Sequence, residues 1–526
     1  MNNKKRLRIL TLFWFICMIS IEVILLTFQV NFNIYGNQFG NDIQINRGKI
    51  LDRNGNELVS NCYRKSLVVN PLNIGESEKE KIIRKLSKIL NLPEKVLSEK
   101  LNMKSNFVWV KRILGYSEIE KLSNLLSYNK IFLVDEKYRN YHLSVATSPL
   151  LGFVGVDNQG LYGLEAVLDQ WLREGNNVYL TIDKDLQATC ANYLREGVEK
   201  YKAKGGYIGI LDVSSGEILA FSMLPDYDYR ESLDSLIDKI HEKNPINFII
   251  EPGSVFKIIT ASIALEEGIV NLNETVECRG EEKVNGHTIR CTEEHGKVNL
   301  EKAIEKSCNI YFYHLAQKIP NSVWYKYFKR LHILDPIDSD INLTLKDSLI
   351  PDINSSKFTK GTLGFGQGIG FTPLKILWLL SYVGNNGNLK TLHLIKKIED
   401  LKGKNIYNDK TEEFSVVSPD TSKKILSYMF GVVERGTASN LNLKGLKIAG
   451  KTGTAQVAKD NGYIPGVYNH LFYGFLFLQN KTYAIIVILL EPKIGKYAKD
   501  TVVPIFKEIA KRLVIYDGRW VQNEKF

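Results

Sequence analysis

One stretch near the start of the chain limits every fold available to the rest. LRILTLFWFICMISIEVILLTFQV supplies about 20 mostly apolar residues, the length needed to cross a bilayer. Lys4, Lys5, Arg6 and Arg8 precede the apolar core, and no basic residue follows it in NFNIYGNQFGND. The positive-inside rule then places residues 1–8 in the cytoplasm, 9–30 in the membrane and the remainder outside. No small-x-small cleavage site follows, so the segment is expected to stay as a signal-anchor. No other stretch is long enough to span, so a single-pass protein is expected whose working part faces outward. Glu22 lies within the span, where an ionisable group costs on the order of 3 kcal/mol or more. It either reaches the outer headgroups or meets a partner, for which a polytopic membrane protein is the natural candidate.

At 526 residues the chain has room for two or three domains, and 44% hydrophobic with 24% charged residues is a globular composition. The net charge of +11 suits an anionic neighbour. No zinc finger, glycine-aromatic RNA signature or long basic run beyond the first eight residues accompanies it. A lysine-rich surface therefore explains the charge, and no nucleic-acid partner is expected.

Residues 47–61, RGKILDRNGNELVSN, read as strand, Asn-Gly turn and strand. Residues 76–100 read as helices rich in lysine and glutamate, and residues 152–172 as a glycine-rich loop followed by an amphipathic helix. A boundary is placed near Gly175. Beyond it, NVYLTIDKDLQATCANYLREGVEK is a strand leading into a helix, and GYIGILDVSSGEILAFSMLPDYD is a hairpin. The sheet begun there resumes near the C-terminus in HLFYGFLFLQNKTYAIIVILLEP. Sheet at both ends enclosing a helical middle predicts an α+β domain.

The cysteines are Cys17, Cys62, Cys190, Cys278, Cys291 and Cys308. CRGEEKVNGHTIRC reads as a hairpin whose ends, Cys278 and Cys291, meet. A disulfide is permitted outside the membrane, a zinc set of Cys278, His287, Cys291 and His295 has no familiar spacing, and reduced thiols are the third state.

Three short motifs carry the chemistry. In EPGSVFKIIT a Pro-Gly pair precedes Ser254, and Lys257 follows one helical turn later on the same face. The pattern alone also describes a capped helix start; as chemistry, a desolvated lysine is a base that activates a serine hydroxyl. A second serine-x-x-lysine, Ser127 to Lys130, runs into a strand-like segment and offers no helix start. KSCNIYFYHLA brings Ser307 and Asn309, which as plain structure are a helix cap and a turn. IAGKTGTAQV brings Lys451, Thr452, Gly453 and Thr454, the one Lys-Thr-Gly in the chain.

In that order, SVFK, SCN and KTGT resemble the three active-site motifs of penicillin-binding proteins and serine β-lactamases. GFGQGIGFTPL, AGKTGTAQ and HLFYGF look like the transpeptidase domain of class B penicillin-binding proteins. RGKILDRNG and GLYGLEAVLD look like that class's non-catalytic pedestal. PDYDYR departs from the class at residues 225–230, where the aspartate is usually followed by Pro-Asn.

The resemblance implies a penicillin-binding, serine β-lactamase-like transpeptidase domain, an antiparallel sheet flanked by helices, over residues 176–526. An elongated α+β pedestal of the penicillin-binding dimerisation type would precede it over 31–175, behind the membrane helix. It also implies the roles. Ser254 attacks a stem peptide ending in D-Ala-D-Ala, and Lys257 is the base, its pKa lowered by burial and by Lys451. Ser307 relays a proton, Asn309 holds Lys257 and the substrate amide, and Lys451 and Thr452 bind the terminal carboxylate. Gly453 lets substrate backbone lie against its strand, and the Ser254 and Thr454 N–H groups form the oxyanion hole. No metal and no cofactor is expected. The implied partners are peptidoglycan stem peptides, β-lactams, which would acylate and inhibit, and a separate polytopic glycan polymerase. His470 is read as an ordinary strand residue and the glycines at 366 and 368 as a loop supporting the site. A β-lactamase, a D,D-carboxypeptidase, a β-lactam sensor and a vestigial scaffold are the rival readings.

Overall fold

The computed structural model describes residues 46–518, apart from 128, 144–146, 230, 232, 243–244, 285, 338, 342–346, 409–410, 442, 460–461 and 480. The expected cytoplasmic tail and membrane segment lie outside the described residues. Among those described, no helix is long and apolar enough to cross a membrane.

Two sheets organise the chain. The first is built on the long strand Glu57–Val69, whose residues from Val59 onward pair antiparallel with Ile131–Tyr141. Ile50–Leu51 and Val108–Lys111 join the other edge of that strand, the former through the turn at Asn54-Gly55. Helices Glu76–Leu90 and Glu94–Leu101 bury Ile83, Leu86, Leu90, Leu97 and Leu101 in a small core with Leu67, Val69 and Val110. Helical apolar spacing produces this one buried stripe and leaves the lysines and glutamates outside.

The sheet also takes Asn177–Leu180, parallel to Ile50–Leu51, and then Ile395–Glu399. Its strands therefore come from both sides of Gly175. The helix expected before Leu172 is broken in two, Gly163–Val167 and Asp169–Arg173, at Leu168.

A buried ion cluster pins that broken helix to the sheet. Glu165 is 0% exposed and receives Arg47 at 2.7 Å and Arg139 at 2.6 Å, while Arg47 also reaches Asp169 at 2.6 Å. Removing one member of such a cluster strands the opposite charge in a dry site, at about 3–5 kcal/mol. Glu165→Ala is expected to lower unfolding free energy by about that amount in urea titration, with Glu78→Ala, on an exposed surface pair, nearly silent.

The second sheet has the order Lys447–Lys459, Gly462–Phe477, Thr482–Leu490, Gly205–Asp212 and Glu217–Leu224, antiparallel throughout. The N-terminal hairpin and the C-terminal strands thus close into one sheet, as expected. Helices cover both faces. Phe472 packs edge-on against Phe506 of helix Ala498–Tyr516, while its neighbour Tyr473 donates its hydroxyl to the Leu377 carbonyl of helix Pro373–Leu379 on the other side. Successive residues of a strand face opposite ways, so this pair fixes which strand positions look toward which layer. Behind the second face lies the helical middle. At its centre is helix Lys257–Glu266, whose first eight residues are all buried.

Candidate active site

Ser254 sits on a short 3-10 turn, Gly253–Phe256, that runs directly into the helix beginning at Lys257. Gly253 has φ +52°, and a Cβ there would lie 2.9 Å from the Cβ of Ala455. Glycine therefore lets the turn press against the Lys-Thr-Gly strand. From behind, Gly253 N–H donates to the Gly366 carbonyl at 3.2 Å. The loop at Gly366–Gly368 thus supports the turn, and Gly368 N–H caps Glu251 at 2.9 Å. Burial raises the Glu251 carboxyl to about 7, against hydrogen bonds from Gly368 and the Tyr463 hydroxyl.

Lys257 is 0% exposed. Its Nζ donates to the Ser307 carbonyl at 2.6 Å, to Ser307 Oγ at 3.1 Å and to Asn309 Oδ1 at 2.7 Å. Lys451, also 0% exposed, meets the same Ser307 Oγ at 2.9 Å and the Thr452 carbonyl at 3.1 Å. One hydroxyl is therefore shared by two buried amines. Burial brings Lys257 down to about 8, with the nearby thiols of Cys291, Cys308 and Cys278 opposing the fall. Lys451 lies well below the usual lysine range, chiefly from burial and then from repulsion by Lys257. The repulsion thus bears on Lys451, whereas Lys257 was expected to feel it.

Ser307 holds φ +58°, a conformation uncommon for a residue with a side chain. It does not cap the following helix. That place belongs to Cys308, whose sulfur accepts from Tyr311 N–H, and Asn309 is the first helical residue. Asn309 also donates its amide to the Arg290 carbonyl at 2.7 Å, so its oxygen is fixed toward Lys257.

Strand alternation sorts the Lys-Thr-Gly residues. Lys451 pairs with Tyr473 and Gly453 with Leu471, facing the helical layer; Thr452 and Thr454 face the opposite way, opposite Phe472 and His470. A Cβ on Gly453 would meet the Pro252 carbonyl at 3.2 Å and Val255 Cγ1 at 3.5 Å. The glycine thus serves close packing of its strand on the Ser254 turn, a neighbour the sequence did not identify.

Ser254, Ser307, Asn309, Thr452 and Thr454 all line one cleft of about 310 Å3. The two lysines lie beneath its floor. The Ser254 hydroxyl has no hydrogen-bond partner among the described residues, since the hydrogen bonds of Lys257 all go to Ser307 and Asn309. Catalytic hydrogen bonds of a ligand-free site are commonly loose and tighten with substrate. The cleft also holds Thr437, whose hydroxyl meets that of Thr452 at 2.6 Å, together with Lys306, Arg435 and Lys499. Sequence reading missed these four. Thr437 and Arg435 follow helix Pro419–Glu434 in a segment with no motif of its own, and only the fold carries it to the strand.

His470 lies outside the cleft, buried with Nδ1 on the Thr501 hydroxyl at 2.8 Å, and burial lowers it to about 4. Cys278 and Cys291 stand 3.7 Å apart, sulfur to sulfur, as free thiols. His287 is not with them; it stacks on Phe358.

Residues 206–511 match the model of the penicillin binding protein transpeptidase domain, and residues 42–185 that of the penicillin-binding protein dimerisation domain. Stage V sporulation protein D of Bacillus subtilis is 28% identical over 488 residues, 85% of this chain and 74% of that one. Peptidoglycan D,D-transpeptidase FtsI of Escherichia coli K12 is 25% identical over 505 residues, 89% and 83% of the two chains. Penicillin binding protein 3 of Mycobacterium tuberculosis, solved with ampicillin, shares the fold at a TM-score of 0.71 with 21% identity, over 91% and 97% of the chains. With more than half of its length matched by the transpeptidase domain, this chain belongs to the class B penicillin-binding protein family.

Proposed function

We propose that this chain cross-links peptidoglycan as a serine D,D-transpeptidase. Ser254 would attack the penultimate carbonyl of a stem peptide, release the terminal D-alanine and pass the acyl group to an amine of a neighbouring stem. The observation that carries this reading is the shared Ser307 hydroxyl, which links two buried amines beside a serine at the head of a helix. Lys257 at about 8 is neutral in a useful fraction near neutral pH and can take the Ser254 proton. Ser307, between the amines, is placed to pass that proton toward the leaving amine. Thr452, Thr454, Thr437 and the cleft cations suit a substrate carboxylate. The N–H groups of Ser254 and Thr454 serve the oxyanion, with the helix N-terminus behind Ser254. β-Lactams, which carry a strained amide and a carboxylate, would acylate the same serine.

The chain associates with the membrane in this reading, through a single span at 9–30 with residues 1–8 inside. The pedestal covers 31–175 and the transpeptidase domain 176–526. A polytopic glycan polymerase meets the span and the pedestal, because no glycosyltransferase motif is present in the sequence.

The test is to supply the full-length protein with a soluble donor ending in D-Ala-D-Ala and an amine acceptor. Release of D-alanine together with the new amide supports transfer. D-alanine release without amide product would instead indicate a carboxypeptidase, and fast turnover of penicillin a β-lactamase.

The rate should follow Lys257. Only its neutral form accepts a proton, so acylation by penicillin is expected to rise about tenfold per pH unit below about 8 and to level off above it. Glu251 also titrates in this range, at about 7. The same inflection near 8 in Glu251→Gln assigns it to the lysine; its disappearance there would move the assignment to Glu251.

A further inference from the structure

Beneath the Ser307 segment, three sulfurs and one ring nitrogen converge. The ligand atoms of Cys278, Cys291, His295 and Cys308 all lie within 4.8 Å of one another. Individual edges are 3.7 Å for Cys278 Sγ to Cys291 Sγ, 3.9 Å for Cys291 Sγ to Cys308 Sγ and 3.3 Å for Cys278 Sγ to His295 Nδ1. A tetrahedral ion with metal–sulfur bonds of about 2.3 Å and a metal–nitrogen bond of about 2.0 Å has sulfur–sulfur edges near 3.8 Å and sulfur–nitrogen edges near 3.5 Å. These three edges fall close to those values, and the remaining three are no longer than 4.8 Å. A disulfide needs about 2.05 Å and would use two of the three sulfurs, leaving the third and the imidazole unexplained.

The fold brings the four together from separate elements. Cys278 ends strand Val276–Cys278, which pairs with Gly296–Val298 and so sets His295 beside it. Cys291 follows the hairpin of Glu281–Val284 and His287–Arg290, and Cys308 caps helix Asn309–Lys318. Backbone donors already serve two of the sulfurs: Asn309 N–H reaches Cys291 Sγ at 3.2 Å and Tyr311 N–H reaches Cys308 Sγ at 3.4 Å. Outer hydrogen bonds of this kind orient ligands around a metal. Cys278 and Cys308 are fully buried, whereas Cys291 and His295 are half-buried and leave a path for an ion.

The geometry points to a tetrahedral zinc site formed by Cys278, Cys291, His295 and Cys308, which fixes Ser307 and Asn309 in place. Three thiolates and an imidazole in a closed set are the donors of a structural zinc ion. Its consequence for the cleft is mechanical. Cys308 stands between Ser307, held at φ +58°, and Asn309, which grips Lys257. Anchoring that one sulfur anchors both neighbours, so the four ligands are positioning residues.

The site rests on ligand geometry and not on the acyl-transfer reading, so the two can fail separately. Full-length protein purified in detergent with reductant and without chelator is assayed for zinc, and stripped protein is titrated with zinc and with cobalt(II). About one equivalent per chain is expected, with cobalt giving thiolate charge-transfer and tetrahedral ligand-field bands. Cys278→Ser and Cys308→Ser should lose these bands, while Cys62→Ser, in the first sheet, keeps them. The wild-type cobalt spectrum needs no variant to fold. Stripping zinc from wild type should slow penicillin acylation by about tenfold or more, with recovery on adding zinc. No stoichiometric uptake by reduced protein, or uptake that survives Cys308→Ser, overturns the site. Zinc binding with unchanged acylation after stripping overturns its positioning role.

Discussion

Ser254→Ala leaves a folded protein that forms no stable adduct with fluorescent penicillin, where the parent carries one adduct on the peptide containing Ser254. Removing a serine nucleophile costs on the order of 10⁶-fold in acyl transfer, because the attacking oxygen goes with it. Ser307 cannot replace it, since its hydroxyl is held between Lys257 and Lys451. Stability should change by less than about 0.5 kcal/mol, because the Ser254 hydroxyl is partly exposed and anchors nothing among the described residues. Intact mass, peptide mapping and a melting curve on the same sample decide the matter. An adduct that persists in the variant places the nucleophile elsewhere.

Lys257→Met should be nearly as damaging while keeping the side chain's volume. It removes the base, and general-base catalysis supplies about 10²–10⁴-fold. It also removes the donor to the Ser307 carbonyl and Asn309 Oδ1, each of which costs about 1–3 kcal/mol when left dry. Against that, an amine buried at 0% exposure is costly to desolvate, and methionine relieves this penalty. The expected protein is folded, modestly less stable, and acylated at least about 10²-fold more slowly than the parent on its plateau above about pH 8. The pH inflection near 8 should vanish with the lysine. Acylation at the parental rate would remove Lys257 from the chemistry and leave Lys451, which meets Ser307 from the other side, as the base to examine.

Much of this was legible in the chain, for local reasons. EPGSVFK announces a helix start, because Pro-Gly stops a loop and the apolar run after it must be buried. The lysine one turn on lies on the serine's side. The alternating apolar residues of the hairpin at Gly206–Asp228 and the short apolar runs from His470 to Pro492 announce strands of one sheet, since such patterns are visible without any partner. The broken helix at Leu168 was not visible, because the glutamate that anchors it, Glu165, reads as an ordinary surface residue until Arg47 and Arg139 arrive from distant strands. Gly453 was legible as a position needing no side chain, but not which neighbour required it.

By itself the sequence determined the order of the three motifs, the α+β alternation and the candidate residues for the chemistry, because these are properties of neighbours along the chain. Tertiary structure alone decided that Lys257 and Lys451 converge on one hydroxyl, that Thr437 joins Thr452, and that Cys308 rather than His287 completes the sulfur cluster. Each of these joins residues from well-separated elements, and strand pairing and helix packing set such distances where spacing along the chain does not.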